Sequence, residues 1–309
     1  SLNHLWNVYR HSGSNRDVIY TMPLKDILKD YKRTRNISDR NPKGVEYIYS
    51  IPKNEGIEMP ERTTKIDPYT FGLLLGDGTF AGNWTSRVGF SSRKSDMEIY
   101  KRYIPYDTVK WGSKNYYGII IDNVKSILQE YNLYHKRSEF KFIPEEFKYN
   151  SRRVRMEILQ GLMDTDGSVD RRGIPYIGSS SKRLIEDIQW ICRSLGYNCS
   201  YTKNKAGYKK ANGEYKECLP SYILRIFTND PIFKLERKIR KLSKLESNYS
   251  KSKAIKTRII NIEYSHREKC KCVTVDSKDN SYLIGDFVQT HNSKSYCVGS
   301  KIVKNFVLG

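Results

Sequence analysis

No apolar run in the chain approaches the roughly 20 residues that a membrane-spanning helix needs, so a helical membrane protein is excluded. Cysteine is sparse, with six in 309 residues. No secretory leader is in view, and the expectation is a reducing compartment, the cytoplasm of a bacterial or phage-infected cell. Cys270 and Cys272 form a C-x-C pair, and Cys192 and Cys199 lie seven apart. Neither pair has a matching second pair at zinc-ligand spacing, so all six are read as structural. Negative charge is scarce as well: 34 Asp and Glu stand against 55 Lys and Arg. A solubilising surface would mix both signs more evenly.

What is abundant is positive charge. A formal net charge of +21 and a pI of about 9.6 call for a polyanionic partner, and nucleic acid is the commonest one. The 24 tyrosines, interleaved with Lys and Arg, suit contact with sugars, phosphates and bases, although many must serve in strands and cores. The length suggests two domains and allows a real core without disulfide staples. The first residue is Ser1 rather than Met, so either the reading frame starts earlier or the chain is a processed piece.

Along the chain, residues 1–62 read as short strands with one helix beginning at Pro23-Leu24, and Val45 to Ile51 reads as a strand. Asp67-Pro68 signals a helix start. An apolar run, Phe71 to Leu75, ends at Gly76-Asp77-Gly78. Strands follow, then helices near Met97–Tyr103 and Val124–Tyr131. Another apolar helix, Val154 to Asp164, ends at Asp164-Thr165-Asp166-Gly167. After it come strands and an amphipathic helix carrying Leu184, Ile185, Ile188, Ile191 and Leu195, stopped by Gly196. The same order of elements occurs twice, an internal pseudo-repeat. Lys241 to Lys256 reads as a solvated junction, and Ile259–Ile262 and Cys272–Val275 read as strands.

Two segments carry chemistry together: Phe71-Gly-Leu-Leu-Leu-Gly-Asp77-Gly and Leu159-Gln-Gly-Leu-Met-Asp-Thr-Asp166-Gly. Gly72 with Gly76, and Gly161 with Thr165, place small residues four apart, a spacing that lets two helices approach closely. Each helix then ends in Asp, at the negative pole of its own dipole. Side by side, Asp77 and Asp166 would also repel one another. A divalent cation would remove both penalties, and Mg2+ binds through one or two carboxylates plus phosphate oxygens.

These two segments resemble the paired motifs of LAGLIDADG homing endonucleases, closely in the second and more loosely in the first. The resemblance implies Asp77 and Asp166 as ligands of Mg2+ or Mn2+ and as catalytic residues. Lys141-Phe142-Ile143-Pro144 matches the family's Lys-x-Ile-Pro element. That makes Lys141 a candidate for steering a water or stabilising phosphate charge, against its reading as one more basic surface residue. Ser179 to Lys182 with the helix to Gly196 also resembles a recurrent segment of these enzymes. The implied fold is α+β, an αββαββα half repeated with pseudo-twofold symmetry, its strands forming a basic saddle on double-stranded DNA. Arg87, Arg93, Lys94, Arg171, Arg172, Lys203 and Lys205 are the expected DNA contacts.

A second constellation closes the chain: Cys272 to Asp276, Tyr282-Leu283-Ile284, then Val288 to Ser293. Asn292 can attack its own carbonyl to form a succinimide and cut the chain, His291 can assist at that carbonyl, and the Ser293 hydroxyl can first accept an upstream segment as an ester. With these strands before it, His291-Asn292-Ser293 resembles the C-terminal splicing motifs of inteins. Ser1-Leu2-Asn3-His4 resembles the intein T-x-x-H motif, which implies that His4 polarises an upstream scissile bond and that an N-terminal intein segment precedes Ser1. Cys272 and Asn280 occupy places where the family often has Asp and His. Ser293-Lys294-Ser295-Tyr296 resembles the tail of a phosphate-binding loop, as in a phage terminase large subunit.

The expected architecture is therefore a LAGLIDADG unit at 63–256 inserted in a mostly β, Hint-type splicing domain (1–62 and 257–292), with 293–309 as C-extein and the whole acting as a monomer. Three functions compete: an active endonuclease within a splicing element, a splicing element with a decayed nuclease, and a DNA-binding regulator on the LAGLIDADG scaffold.

Overall fold

The buried apolar residues sort into two clusters. One gathers Trp6, Val8, Ile27, Ile48, Tyr49, Ile51 and Ile259, from both ends of the chain. The other draws only on residues between Ile66 and Leu235. The computed structural model divides accordingly into two units, Ser1–Glu55 with Ser250–Gly309, and Gly56–Tyr249. It describes residues 2–11, 18–35, 44–80, 88–105, 108–112, 116–121, 124–211, 213–243, 256–269, 275–278, 280–292 and 298–300.

The chain begins with β1 (Leu5–Arg10), β2 (Ile19–Pro23), α1 (Leu24–Asp30), β3 (Lys32–Arg35), β4 (Gly44–Tyr47) and β5 (Tyr49–Pro52). The strand expected over Val45–Ile51 is thus broken at Ile48. The Ile48 amide bonds to the Tyr31 carbonyl at 2.9 Å, and its side chain enters the core.

The second unit follows. Its first half comprises α2 (Pro68–Asp77), β6 (Gly78–Thr79), β7 (Val88–Arg93), α3 (Met97–Tyr103), β8 (Thr108–Gly112), β9 (Tyr116–Ile121) and α4 (Lys125–Glu130). After a short α5 (Glu145–Lys148), its second half comprises α6 (Arg152–Thr165), β10 (Gly167–Val169), β11 (Pro175–Ser179), α7 (Lys182–Ser194), β12 (Asn198–Asn204), β13 (Gly207–Lys209), β14 (Tyr215–Glu217), β15 (Ser221–Phe227) and α8 (Glu236–Ser243). The two four-stranded sheets have the same order, β6-β7-β9-β8 and β10-β11-β15-β12, so the doubled αββαββα pattern is present. Lys241 to Ser243 belong to α8 rather than to a junction.

Local chemistry accounts for the helix starts. The Asp67 carboxylate accepts from the Thr70 amide at 2.8 Å, with Pro68 in the first turn, where its missing N–H costs nothing. Ser181 caps α7 by accepting from the Leu184 amide at 3.1 Å. Beyond α7, Gly196 takes φ +86, the left-handed conformation that stops a helix. The buried face of α7 joins Ile177, Cys199, Leu224 and Ile226 of the second sheet in one core. Each such Leu or Ile contributes about 1.5–3 kcal/mol on burial.

The chain returns to the first unit as β16 (Lys256–Arg258), β17 (Arg267–Lys269), β18 (Ser281–Ile284), β19 (Val288–His291) and β20 (Val298–Ser300). Here β16 completes an antiparallel sheet of order β16-β5-β1-β2, and β18 pairs with β19. The strand expected at Ile259–Ile262 ends at Arg258, with one further bond from the Ile259 amide to the Tyr49 carbonyl at 3.0 Å. Residues 270–274 lie outside the described residues. Among the described residues no helix is long and apolar enough to cross a membrane.

Candidate active site and nucleic-acid interface

Helices α2 and α6 touch through backbone. A Cβ on Gly161 would stand 2.9 Å from the Gly72 Cα, and one on Gly72 would stand 2.9 Å from the Gly161 Cα. One turn on, Gly76 leaves room for the Thr165 side chain. The small residues four apart are therefore the contact itself, and they bring both helix C-termini together.

Asp77 is the last residue of α2, and Asp166 caps α6. Both side chains open to solvent on one side, while the surrounding chain partly desolvates them. That desolvation raises the Asp77 pKa, against the opposing charges of Lys238, Lys141 and Arg237. Desolvation, then the Asp77 charge, raises Asp166 to about 6. The expected mutual repulsion is thus borne by Asp166.

The dipole penalty, by contrast, is met within the protein. The Lys141 ammonium donates to the carbonyls of Leu75 at 2.8 Å, Gly76 at 3.0 Å and Gly78 at 3.1 Å. The Lys238 ammonium reaches those of Met163 at 2.8 Å, Asp164 at 2.7 Å, Thr165 at 3.0 Å and Gly167 at 2.6 Å. Each cation sits on the negative pole of one acid-ended helix. Lys141 is buried, only 7% exposed, which removes its reading as a surface charge. Desolvation lowers the pKa of Lys141 and takes Lys238 down to about 8. Lys238 escaped sequence reasoning: Glu236-Arg-Lys-Ile-Arg-Lys looks like any solvated charged helix.

Two buried acids aim these lysines. The Asp164 carboxylate accepts from the Tyr69 hydroxyl at 2.7 Å and from the Leu235 amide at 3.1 Å, fixing the start of α8 one turn before Lys238. Asp187 accepts from the Ile143 amide at 2.9 Å, and the Ser181 hydroxyl donates to the Lys141 carbonyl at 2.6 Å. Asp164 and Asp166, two residues apart, thus play different parts: one is enclosed by donors, the other faces outward.

The strand register defines the open face of each sheet, opposite its helices. In the second sheet Tyr176, Arg225 and Ser200 form one cross-strand row, and Gly178, Ile223 and Thr202 the next. Arg225, not foreseen from sequence, carries a buried Nε without a hydrogen-bond partner among the described residues. Lys203 pairs in register with Tyr222, a core residue, so it lies on the helix-side face beyond the core. Arg171 and Arg172 occupy the exposed β10–β11 turn, where Arg172 pairs with Asp170 at 2.9 Å. Arg93 ends β7 on the open face, and Lys94 is exposed just beyond it. Lys205 is exposed past the end of β12. Arg87 lies outside the described residues.

In the first unit, His4 Nε2 lies 2.7 Å from the Thr290 hydroxyl, across 286 residues of sequence. Desolvation lowers the His4 pKa, and the neighbouring His291 acts in the same direction. His291 Nδ1 is buried without a hydrogen-bond partner among the described residues. The Asn292 amide donates to the Asn280 carbonyl at 2.5 Å, and Asn280 sits at φ +51. The Asn280 main-chain carbonyl thus lies beside Asn292. Ser293 and Cys272 lie outside the described residues.

Among the described residues no three His, Cys, Asp or Glu side chains gather into a metal-binding group. A cation at Asp77 and Asp166 would draw its other ligands from water and substrate.

Residues 153–240 match the model of a LAGLIDADG-like domain, a segment that includes Asp166 and Lys238. The chain is 28% identical over 247 residues to the replicative DNA helicase DnaB of Mycobacterium intracellulare, covering 79% of this chain and 38% of that protein. It is 25% identical over 315 residues to the glutamine–fructose-6-phosphate aminotransferase of Methanocaldococcus jannaschii, covering 94% of this chain and 28% of that protein. The chain thus spans well under half the length of either relative, and neither is a terminase. Among solved structures it is similar to mesophilic variants of the homing endonuclease I-DmoI, with TM-score 0.33 and 13% identity over 60% of this chain and 96% of that one. It is likewise similar to I-DmoI in complex with DNA and Ca, with TM-score 0.33, 13% identity, and 60% and 90% coverage.

Proposed function

We propose that the Gly56–Tyr249 unit is a site-specific endonuclease that cuts both strands of duplex DNA with Mg2+ or Mn2+, and that the other unit carries the C-terminal chemistry of protein splicing. The observation that carries the nuclease reading is the meeting of two acid-ended helices through facing glycines, each terminus held by its own buried lysine. The match of residues 153–240 to a LAGLIDADG-like domain supports it.

The acids fit a hard divalent cation. Both are held above the usual carboxylate range by desolvation, and a positive ion between them relieves that cost. Mg2+ uses one or two carboxylates and takes the rest of its shell from water and phosphate oxygens, which matches two carboxylates open to solvent. Bound there, the ion would supply Lewis acidity toward the scissile phosphodiester. Lys141 and Lys238 act otherwise. An ammonium has three N–H donors, and each is already met by main-chain oxygens. Both lysines therefore serve as fixed positive charges toward the phosphate and as clamps on the helix ends that carry the acids. The open sheet faces, with Arg93 and Arg225, hold the duplex.

The splicing reading rests on His4 and Thr290 meeting beside His291 and Asn292. It gains support from the relatives: this sequence aligns within a helicase and within an aminotransferase, as an inserted element shared by unrelated hosts does. Under this reading the splicing segments lie in the Ser1–Glu55 and Ser250–Gly309 unit and the nuclease in Gly56–Tyr249, rather than with boundaries at 63 and 256 as expected from sequence, and 293–309 is downstream host sequence.

The test is cleavage of a plasmid carrying the flanking gene rejoined without the insert. Metal-dependent double-strand cutting at the junction is expected, lost in Asp77→Asn and in Asp166→Asn while DNA binding persists. Binding without cutting in the parent chain overturns the nuclease and leaves a DNA-binding insert.

A further inference from the structure

The two halves of the Gly56–Tyr249 unit share one sheet order but differ in the connection that joins β8 to β9 in the first and β12 to β15 in the second. In the first half β8 and β9 are joined across residues 113–115, and their outermost pair is Gly112 with Tyr117. In the second half β12 and β15 pair out to Asn204 and Ser221, and the ribbon then continues as β13 and β14, from Gly207 opposite Glu217 to Lys209 opposite Tyr215. The Cys218 amide bonds to the Ala206 carbonyl at 2.8 Å, so pairing runs on through the join. Two residues on one strand face three on the other there, a bulge that bends and twists the ribbon.

This arm stands largely in solvent. From Asn204 to Leu219 every residue whose burial is described is exposed except the half-buried Ala206. Tyr208 is 52% and Tyr215 58% exposed, although tyrosine tends to bury its ring and keep only its hydroxyl wet. The segment 205–217 holds four lysines, at 205, 209, 210 and 216, against Glu214 and Glu217. At about 3.3 Å per residue the arm extends roughly 20 Å past the sheet.

We propose that this arm is a one-sided DNA clamp: it engages phosphates of the duplex beyond the stretch covered by the second sheet, so that contact runs longer on that side. The inference rests on the duplex-DNA reading above and adds an asymmetry to it. A two-stranded ribbon fits a DNA groove, lysines position on phosphates without reading sequence, and exposed tyrosines offer hydroxyl donors beside them. The reach corresponds to about six base pairs at 3.4 Å each.

The experiment uses the full chain and a duplex selected for binding from a randomised 60-base-pair library. Hydroxyl-radical footprinting of that duplex is expected to show protection extending about six base pairs farther on one side of its centre. In Lys209→Ala/Lys210→Ala/Lys216→Ala the extra protection disappears, and the slope of log affinity against log salt falls by about 3, near one per lost phosphate contact. The central protection and the thermal midpoint stay unchanged. Equal protection on both sides, or a triple variant with the parent's footprint and slope, overturns the clamp while leaving the DNA reading intact. A duplex that cannot be selected at all overturns both. A chain dimer that the triple variant or an arm deletion dissolves, without change in the footprint, assigns the arm to self-association instead.

Discussion

Lys238 stands to α6 as Lys141 stands to α2: each buried ammonium gathers the last carbonyls of one helix, within 2.6–3.0 Å for Lys238 and 2.8–3.1 Å for Lys141. Ninety-seven residues separate them, yet they solve one electrostatic problem twice. A helix that must end in an aspartate at its negative pole needs a cation there, and a buried cation needs carbonyl acceptors.

That equivalence sets a first expectation. Lys141→Met and Lys238→Met each leave several helix-end carbonyls unsatisfied, at a cost of about 1–3 kcal/mol in stability, and each removes a fixed charge from the site. Cleavage should fall by about 10²–10³-fold in both, measured below the variants' unfolding temperatures. A variant that lost stability but kept full activity would assign that lysine to structure alone.

The glycine contact predicts a different signature. Gly161→Ala sets a methyl group against the Gly72 Cα and the Tyr69 carbonyl, both on the facing helix backbone. The helices must move apart, so a loss of about 1–3 kcal/mol or more is expected in denaturant titration, together with reduced cutting. A Leu75→Met change, keeping volume, should cost under about 1.5 kcal/mol.

Acid behaviour follows from Asp166. Its folded pKa, about 6, lies above its ordinary 3.8, so between these values the folded state holds more protons than the unfolded one. Stability contributed by this group therefore falls as pH rises from about 4 to about 6. In metal-free buffer Asp166→Asn should raise stability at pH 7 by on the order of 1 kcal/mol, a figure reduced because the carboxylate is open to solvent. At pH 3.5 the difference should vanish. Added Mg2+ should stabilise the parent and not the variant; an equal response in both would count against this ligand.

In the first unit, Asn292→Ala is expected to abolish release of residues 293–309 outright, and His291→Ala to slow it by about 10²-fold or more. Both are read by the mass of the C-terminal fragment. Continued release from Asn292→Ala would remove succinimide formation from the account. Thr290→Val, which takes the hydroxyl from His4, tests whether that bond orients the imidazole. It should impair the N-terminal step in a chain supplied with its upstream segment and leave C-terminal release intact.

Much of this was legible in the linear sequence because it depends on neighbours along the chain. The Asp67-Pro68 start of α2, the Gly196 stop of α7 and the twin Asp-Gly endings all arise from contacts a few residues apart. The doubling of the elements was readable for the same reason. Tertiary structure alone decided the rest. Lys238 looks like any lysine of a charged helix until Asp164, seventy residues earlier, fixes the start of α8 and turns that lysine onto the end of α6. Asp164 and Asp166 are alike in sequence, and only the ring of donors around one and the open side of the other separate them. Lys203 and Arg225 exchanged importance because pairing register, set by a strand some twenty residues away, determines which face a side chain takes. Local propensity names the pieces; the charges that neutralise a helix end or face a ligand arrive from distant segments, and packing alone brings them there.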